Sequence, residues 1–128
     1  MPKRGLPAPK ESDEQIALFE WAALQQRRYP ELELLYHIPN GGHRHKTTAM
    51  RLKAEGVKAG VPDLCLPVPK SIYAGLYIEL KAGKNKTTTN QNKWLKTLAQ
   101  NGYYTIVCNG WQSAADIILR YLKGGDLP

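Results

Sequence analysis

The chain predicts an α/β domain, a mixed β-sheet flanked by α-helices, and three observations lead there. Four short apolar runs bounded by Gly and Pro have strand character, at residues 34–38, 63–68, 74–81 and 103–108. Around them lie segments whose apolar residues recur at helical spacing. Some runs follow one another through tight connections and others through a helix, which mixes antiparallel with parallel neighbours and places helices on both faces. At 128 residues and 42% hydrophobic composition, one domain can bury a core without disulfide or metal staples.

Taken in order, residues 1–10 are basic and proline-rich, lack the apolar core of a signal peptide, and read as a flexible arm. Residues 11–123 form the domain and 124–128 a short tail. The first helix opens at Glu11-Ser12-Asp13-Glu14-Gln15, where Ser12 and Gln15 fit a capping box and the acids suit the positive helix end. It runs to about Arg28, with Ile16, Phe19, Ala23 and Leu24 as its apolar spacing, and stops before Pro30. The strand at 34–38 ends in the turn Pro39-Asn40-Gly41-Gly42. Residues 43–55 offer few apolar positions, Ala49 and Leu52, and read as an exposed basic helix or ordered loop capped by Gly56. Two strands follow, joined through Pro69-Lys70-Ser71, and the polar loop 82–90 then leads into a helix. That helix carries Gln91, Trp94, Leu95 and Leu98 at relative positions 0, 3, 4 and 7 and stops at Gly102. The spacing sets Gln91 in the middle of the apolar face, where its amide needs a partner. The strand at 103–108, the turn Asn109-Gly110 and a helix over 113–123, with Ala115, Ile118, Leu119 and Leu122 inward, complete the order.

Eighteen basic against eleven acidic residues give a net charge of +7, which on a small protein favours a polyanionic partner. Residues 80–115 contain no acid but include Lys81, Lys84, Lys86, Lys93 and Lys96. Between 34 and 62 Glu55 is the lone acid among Arg44, Lys46, Arg51, Lys53 and Lys58. Positive segments therefore flank the stretch 60–81. No apolar run approaches the roughly 18 residues of a membrane span, so no membrane partner is expected and a cytoplasmic location is. Cys65 and Cys108 lie in apolar runs without the spacing of a metal knuckle or redox motif and read as core residues.

The stretch 60–81 concentrates the chemistry. Asp63 follows Gly60-Val61-Pro62 and opens one apolar run; Glu79 and Lys81 interrupt the next. Alternation along a strand puts Tyr77, Glu79 and Lys81 on one face and Leu76, Ile78 and Leu80 on the other. Glu and Lys sharing a strand face either meet water or build a site. A strand pair can converge two carboxylates on a divalent cation, and Mg2+ suits such a place because it binds few protein carboxylates and accepts phosphate oxygens. A lysine one step away on the same face can position a water and offset transition-state charge.

Gly60-Val61-Pro62-Asp63, an interval of fifteen residues, then Glu79-Leu80-Lys81 and Gln91 at the head of the next helix resemble the PD-(D/E)XK nuclease superfamily. More narrowly, together with Ile38-Pro39-Asn40-Gly41-Gly42, they resemble its virus-type replication-repair nuclease branch, VRR-NUC. The resemblance runs from Glu11 to about Tyr121. It implies a restriction-endonuclease-like core and phosphodiester cleavage dependent on Mg2+, with Mn2+ able to substitute. Residue by residue, it implies Asp63 and Glu79 as metal-binding acids, the Leu80 carbonyl as a further ligand, Lys81 as the catalytic lysine and Gln91 as the glutamine that orients it or the attacking water. It also implies an acid from the first helix: Glu11, four before Gln15, fits the pattern, and Glu14 competes. Free-standing members of this branch resemble Holliday-junction resolvases, which implies a homodimer acting on branched DNA.

Asn40, Arg44, Lys46, Lys58, Lys84 and Lys86 are the candidate contacts to a phosphate backbone. His37, His43 and His45 lack the cysteine partners and spacing of a zinc motif, and Gly83-Lys84 lacks the earlier glycine of a phosphate-binding loop. Trp21, Trp94 and Trp111 read as packing residues.

Overall fold

The structure, a computed structural model, describes residues 10–39 and 46–128. Residues 1–9 of the expected arm, the turn residues Asn40-Gly41-Gly42, and His43, Arg44 and His45 lie outside the described residues, whereas Lys10 is the N-cap of α1; of Lys46 only the backbone is described. The elements are α1 (Glu11–Gln25), a 3-10 helix (Pro30–Leu34), β1 (Tyr36–His37), α2 (Lys46–Ala54), β2 (Leu64–Leu66), β3 (Leu76–Lys81), α3 (Thr89–Gln100), β4 (Tyr104–Asn109) and α4 (Trp111–Lys123). The four strands form one sheet in the order β1-β2-β3-β4. β1 with β2 and β2 with β3 are antiparallel, while β3 and β4 are parallel through the α3 crossover. The mixed sheet of the sequence reading is thus present, with β3 as the strand where the two pairings meet.

Leu76, Ile78 and Leu80 turn to the face covered by α1 and α4, where they join Leu18, Ala22, Ile118 and Tyr121 in the core. α4 buries Ala114, Ala115, Ile117, Ile118, Tyr121 and Leu122. Each fully buried large aliphatic in that set contributes about 1.5–3 kcal/mol, which makes α4 the main clamp on this face. The opposite face carries α3, packed on β4. None of the α3 residues is fully buried; Gln91, Trp94, Leu95 and Leu98 are half-buried. No helix among the described residues is long and apolar enough to cross a membrane.

Three local expectations are corrected. α1 has no Ser12–Gln15 capping box: the N-cap is Lys10, two residues earlier, the helix starts at Glu11, and Ser12 lies inside its first turn. Its inward residues are Leu18 and Ala22, whereas Ile16 and Leu24, from the anticipated stripe, stand 56% and 79% exposed. Apolar residues from Ile16 to Leu24 occupy almost every direction around the helix, so spacing alone cannot select the face; close approach of α4 selects the one bearing Ala22. Leu34 and Leu35 are not strand residues either. Pro30 starts the 3-10 helix that runs to Leu34, Leu32 and Leu35 pack inward, and β1 is limited to Tyr36–His37.

Candidate active site

Antiparallel pairing sets the site. β2 and β3 are in register with Leu64 opposite Ile78, so one step further Asp63 comes opposite Glu79 on the α3 face of the sheet. β1 holds the Asp63 backbone: its carbonyl accepts from the Ile38 N–H at 2.7 Å and from the His37 ring Nδ1–H at 2.9 Å. β3 holds the side chain, because the Leu80 N–H donates to Asp63 Oδ2 at 2.8 Å. A residue's N–H and C=O leave a strand on the same side, so the Leu80 carbonyl also lies on the edge facing Asp63.

Glu79 and Lys81 do not meet water: they are 1% and 6% exposed. Glu79 Oε2 receives the Gln91 Nε2–H at 3.2 Å and lies 3.4 Å from the Lys81 ammonium. Glu79 Oε1 is buried and receives no donor from the described residues. Burial is the largest influence on this carboxyl, followed by its hydrogen bond and charge repulsion with Asp63, and together they outweigh Lys81 and push its pKa up to about 8. In the cation-free protein Glu79 therefore holds its proton more tightly than an ordinary glutamate does.

Gln91 serves two structures at once. Thr88 Oγ1 accepts from the Gln91 N–H at 3.1 Å and Gln91 Oε1 accepts from the Thr88 N–H at 2.9 Å, a reciprocal capping box at the start of α3. With its oxygen committed to the cap, the amide must present its NH2 to Glu79. The Thr88-x-x-Gln91 pattern was available in the sequence as a helix-start signal, and it fixes which way this glutamine points.

The two helix acids separate. Glu14 Oε1 accepts from the Trp111 N–H at 2.8 Å and so caps α4, whose own N-cap, Gly110, has no side chain to do it. Glu11 Oε2 accepts from Asn85 Nδ2 at 2.9 Å, in the loop four residues past Lys81. Neither joins Asp63 and Glu79, and no group of three or more His, Cys, Asp or Glu side chains converges among the described residues. Sequence reading missed Thr88, despite the local Thr88-x-x-Gln91 pattern, and Asn85, whose partner Glu11 is 74 residues away and is set by loop geometry.

An unpartnered, buried carboxylate oxygen beside a second carboxylate is costly unless a proton or a cation meets it. The donor set fits Mg2+, which needs few protein oxygens: Asp63, Glu79 and the Leu80 carbonyl would hold it. Lys58, Lys84 and Lys86 are exposed, as phosphate contacts require. Cys65 and Cys108 are buried and free, and burial lifts the Cys108 thiol to about 11, which makes it inert.

The fold of the chain recurs in a known protein. A solved structure of a "VRR_NUC domain protein" is similar to it with a TM-score of 0.79 and 29% identity, covering 96% of this chain and 96% of that one. No curated protein matches the sequence. The VRR-NUC domain profile matches residues 9–112, most of the length and all of β1 to β4, so the chain belongs to the VRR-NUC domain family and carries its nuclease-type fold.

Proposed function

We propose that the protein is a metal-dependent DNA endonuclease that hydrolyses phosphodiester bonds in branched DNA, acting as a homodimer with one site for each of two strands. The observation that carries this reading is the buried Glu79, with no protein donor to Oε1, facing Asp63 and flanked by Lys81 and Gln91. A module that merely bound DNA would gain nothing from two carboxylates placed where phosphate must approach.

Bound Mg2+ supplies charge neutralisation at the phosphate and a more acidic water. The chain's own residues do the rest. Asp63 is held from both neighbouring strands, so its carboxylate needs no reorganisation. Lys81 places a fixed positive charge beside the carboxylate pair, where it offsets charge growing on the phosphate and steers the nucleophilic water. Gln91 holds Glu79 Oε2 from the other side and keeps the carboxylate plane fixed. Lys58, Lys84 and Lys86, with Asn40, Arg44 and Lys46 ahead of and within α2, contact the phosphate backbone without reading sequence.

The test is cleavage of labelled four-way junction, flap, single-stranded and linear duplex substrates with Mg2+, with Mn2+ and with chelator. Expected are cuts in the junction, abolished by chelator and by Asp63→Asn, with affinity falling steeply as salt rises. Preference for flap or single strands would correct the substrate. Normal junction binding with no metal-dependent cleavage of any substrate would overturn the enzymatic reading. Sedimentation at working concentration tests the dimer.

A further inference from the structure

α3 packs on β4 with Trp94, Leu95 and Leu98 half-buried, and polar contacts at two points along the helix add to that packing. Thr105 Oγ1 on β4 donates to the Leu95 carbonyl at 3.1 Å in the middle of the helix. At its first turn Asn90 Nδ2 donates to the Ala59 carbonyl at 2.8 Å, joining segments 31 residues apart. The Asn90 side chain lies directly on Gly60, which is buried and has φ +90°. A Cβ on Gly60 would stand 2.8 Å from Asn90 Nδ2, 2.9 Å from its Cγ and 3.1 Å from its carbonyl carbon. Both the conformation and the approach therefore require glycine.

This contact joins the two halves of the site. Asp63 is three residues beyond Gly60, and Gln91 is the residue after Asn90. We infer that Asn90 is a positioning residue for the reaction: clamped on Ala59 and Gly60, it sets α3 against the approach to β2. Gln91 then meets Glu79 in the same arrangement in which Asp63 meets Leu80. The capping box fixes how the Gln91 amide is turned; the clamp fixes where it is. Loss of the clamp leaves the cap intact and lets the first turn drift away from the sheet. The catalytic half of this inference rests on the nuclease reading, whereas the placement of Gln91 does not.

The experiment compares Asn90→Ala with Thr105→Val, which removes an equivalent side-chain-to-carbonyl bond from the same helix farther from the site. Two readouts are taken: single-turnover cleavage, and the Gln91 side-chain amide resonances in the metal-free protein. Asn90→Ala is expected to lower the cleavage rate about tenfold at unchanged DNA affinity, since displacements well under 1 Å matter at this level. It is also expected to move the Gln91 amide signals toward free-amide values, while Thr105→Val leaves both readouts near wild type. If the two variants behave alike in both, α3 is merely docked by these contacts and the inference falls. If wild type cuts nothing, the nuclease reading fails and the amide signals alone decide the clamp: unchanged signals in Asn90→Ala overturn it, and shifted signals sustain it.

Discussion

Replacing Glu79 with Gln should stabilise the metal-free protein above neutral pH. Burial, reinforced by Asp63, raises this carboxyl from 4.5 to about 8, so the folded chain holds the proton more tightly than the unfolded chain does. The sign follows from that difference. The contribution of Glu79 to stability is complete below the unfolded value and is lost as pH rises through the folded one. At about 1.4 kcal/mol per unit, the full loss approaches 5 kcal/mol in wild type. Gln copies the neutral carboxyl and titrates nowhere, so its contribution stays constant. Urea unfolding in chelator, repeated from pH 4 to pH 9, reads the difference. The two proteins should lie together near pH 4 and diverge steadily, with Glu79→Gln the more stable by several kcal/mol at pH 9. Mn2+ should then stabilise wild type and leave the variant unchanged. A gap that does not widen with pH, or a variant that is less stable at pH 9, would refute the reasoning, because Lys81 and Gln91 would then be holding Glu79 as the ion.

The same proton predicts that Mn2+ affinity climbs by close to one decade per pH unit below about 8 and flattens above it, since the cation must displace the proton on Glu79. Calorimetry in buffers of different ionisation enthalpy counts that proton, and pH-independent affinity would rule the coupling out. Lys81→Ala should keep the fold and lower single-turnover cleavage by roughly 10²–10³, the range for removing one group that stabilises transition-state charge. Gln91→Glu should keep the cap, because a carboxylate still accepts from the Thr88 N–H, yet lower the melting temperature and slow cleavage by setting a third acid against Glu79. Thr88→Ala should cost about 1 kcal/mol of helix capping. Glu14→Ala should likewise destabilise by about 1 kcal/mol as the Trp111 N–H loses its acceptor.

What the sequence made legible was whatever rests on period. The alternation from Leu76 to Lys81 assigned the two faces of β3 correctly, and helical spacing put Gln91 inward, where its amide finds Glu79. The α1 face was not legible, because eight of the nine residues from Ile16 to Leu24 are apolar and several stripes satisfy the same period. Pairings decided by tertiary approach were also hidden. Nothing local tells that Glu14 caps a helix 97 residues away, or that Asn90 lies on Gly60. The burial of Glu79 and Lys81 could be posed only as an alternative, since an exposed Glu-Lys pair and a built site share one sequence pattern.

The place of the site follows from the shortness of β2. That strand begins at Leu64, opposite Ile78, so the next inward-facing N–H along β3, that of Leu80, has no backbone acceptor from β2. Asp63 Oδ2 supplies one. The carboxylate thereby replaces a missing rung of the sheet, and the buried N–H it satisfies holds it still. This explains why Asp63→Asn is the cleaner test of charge: the amide oxygen can still accept from Leu80, whereas Ala would leave a buried donor unpaired at a cost of about 1–3 kcal/mol. It also explains why the chemistry gathers at this end of β3. Here the antiparallel neighbour starts and the parallel crossover departs through α3, so side chains from both can reach Glu79 without interrupting the ladder.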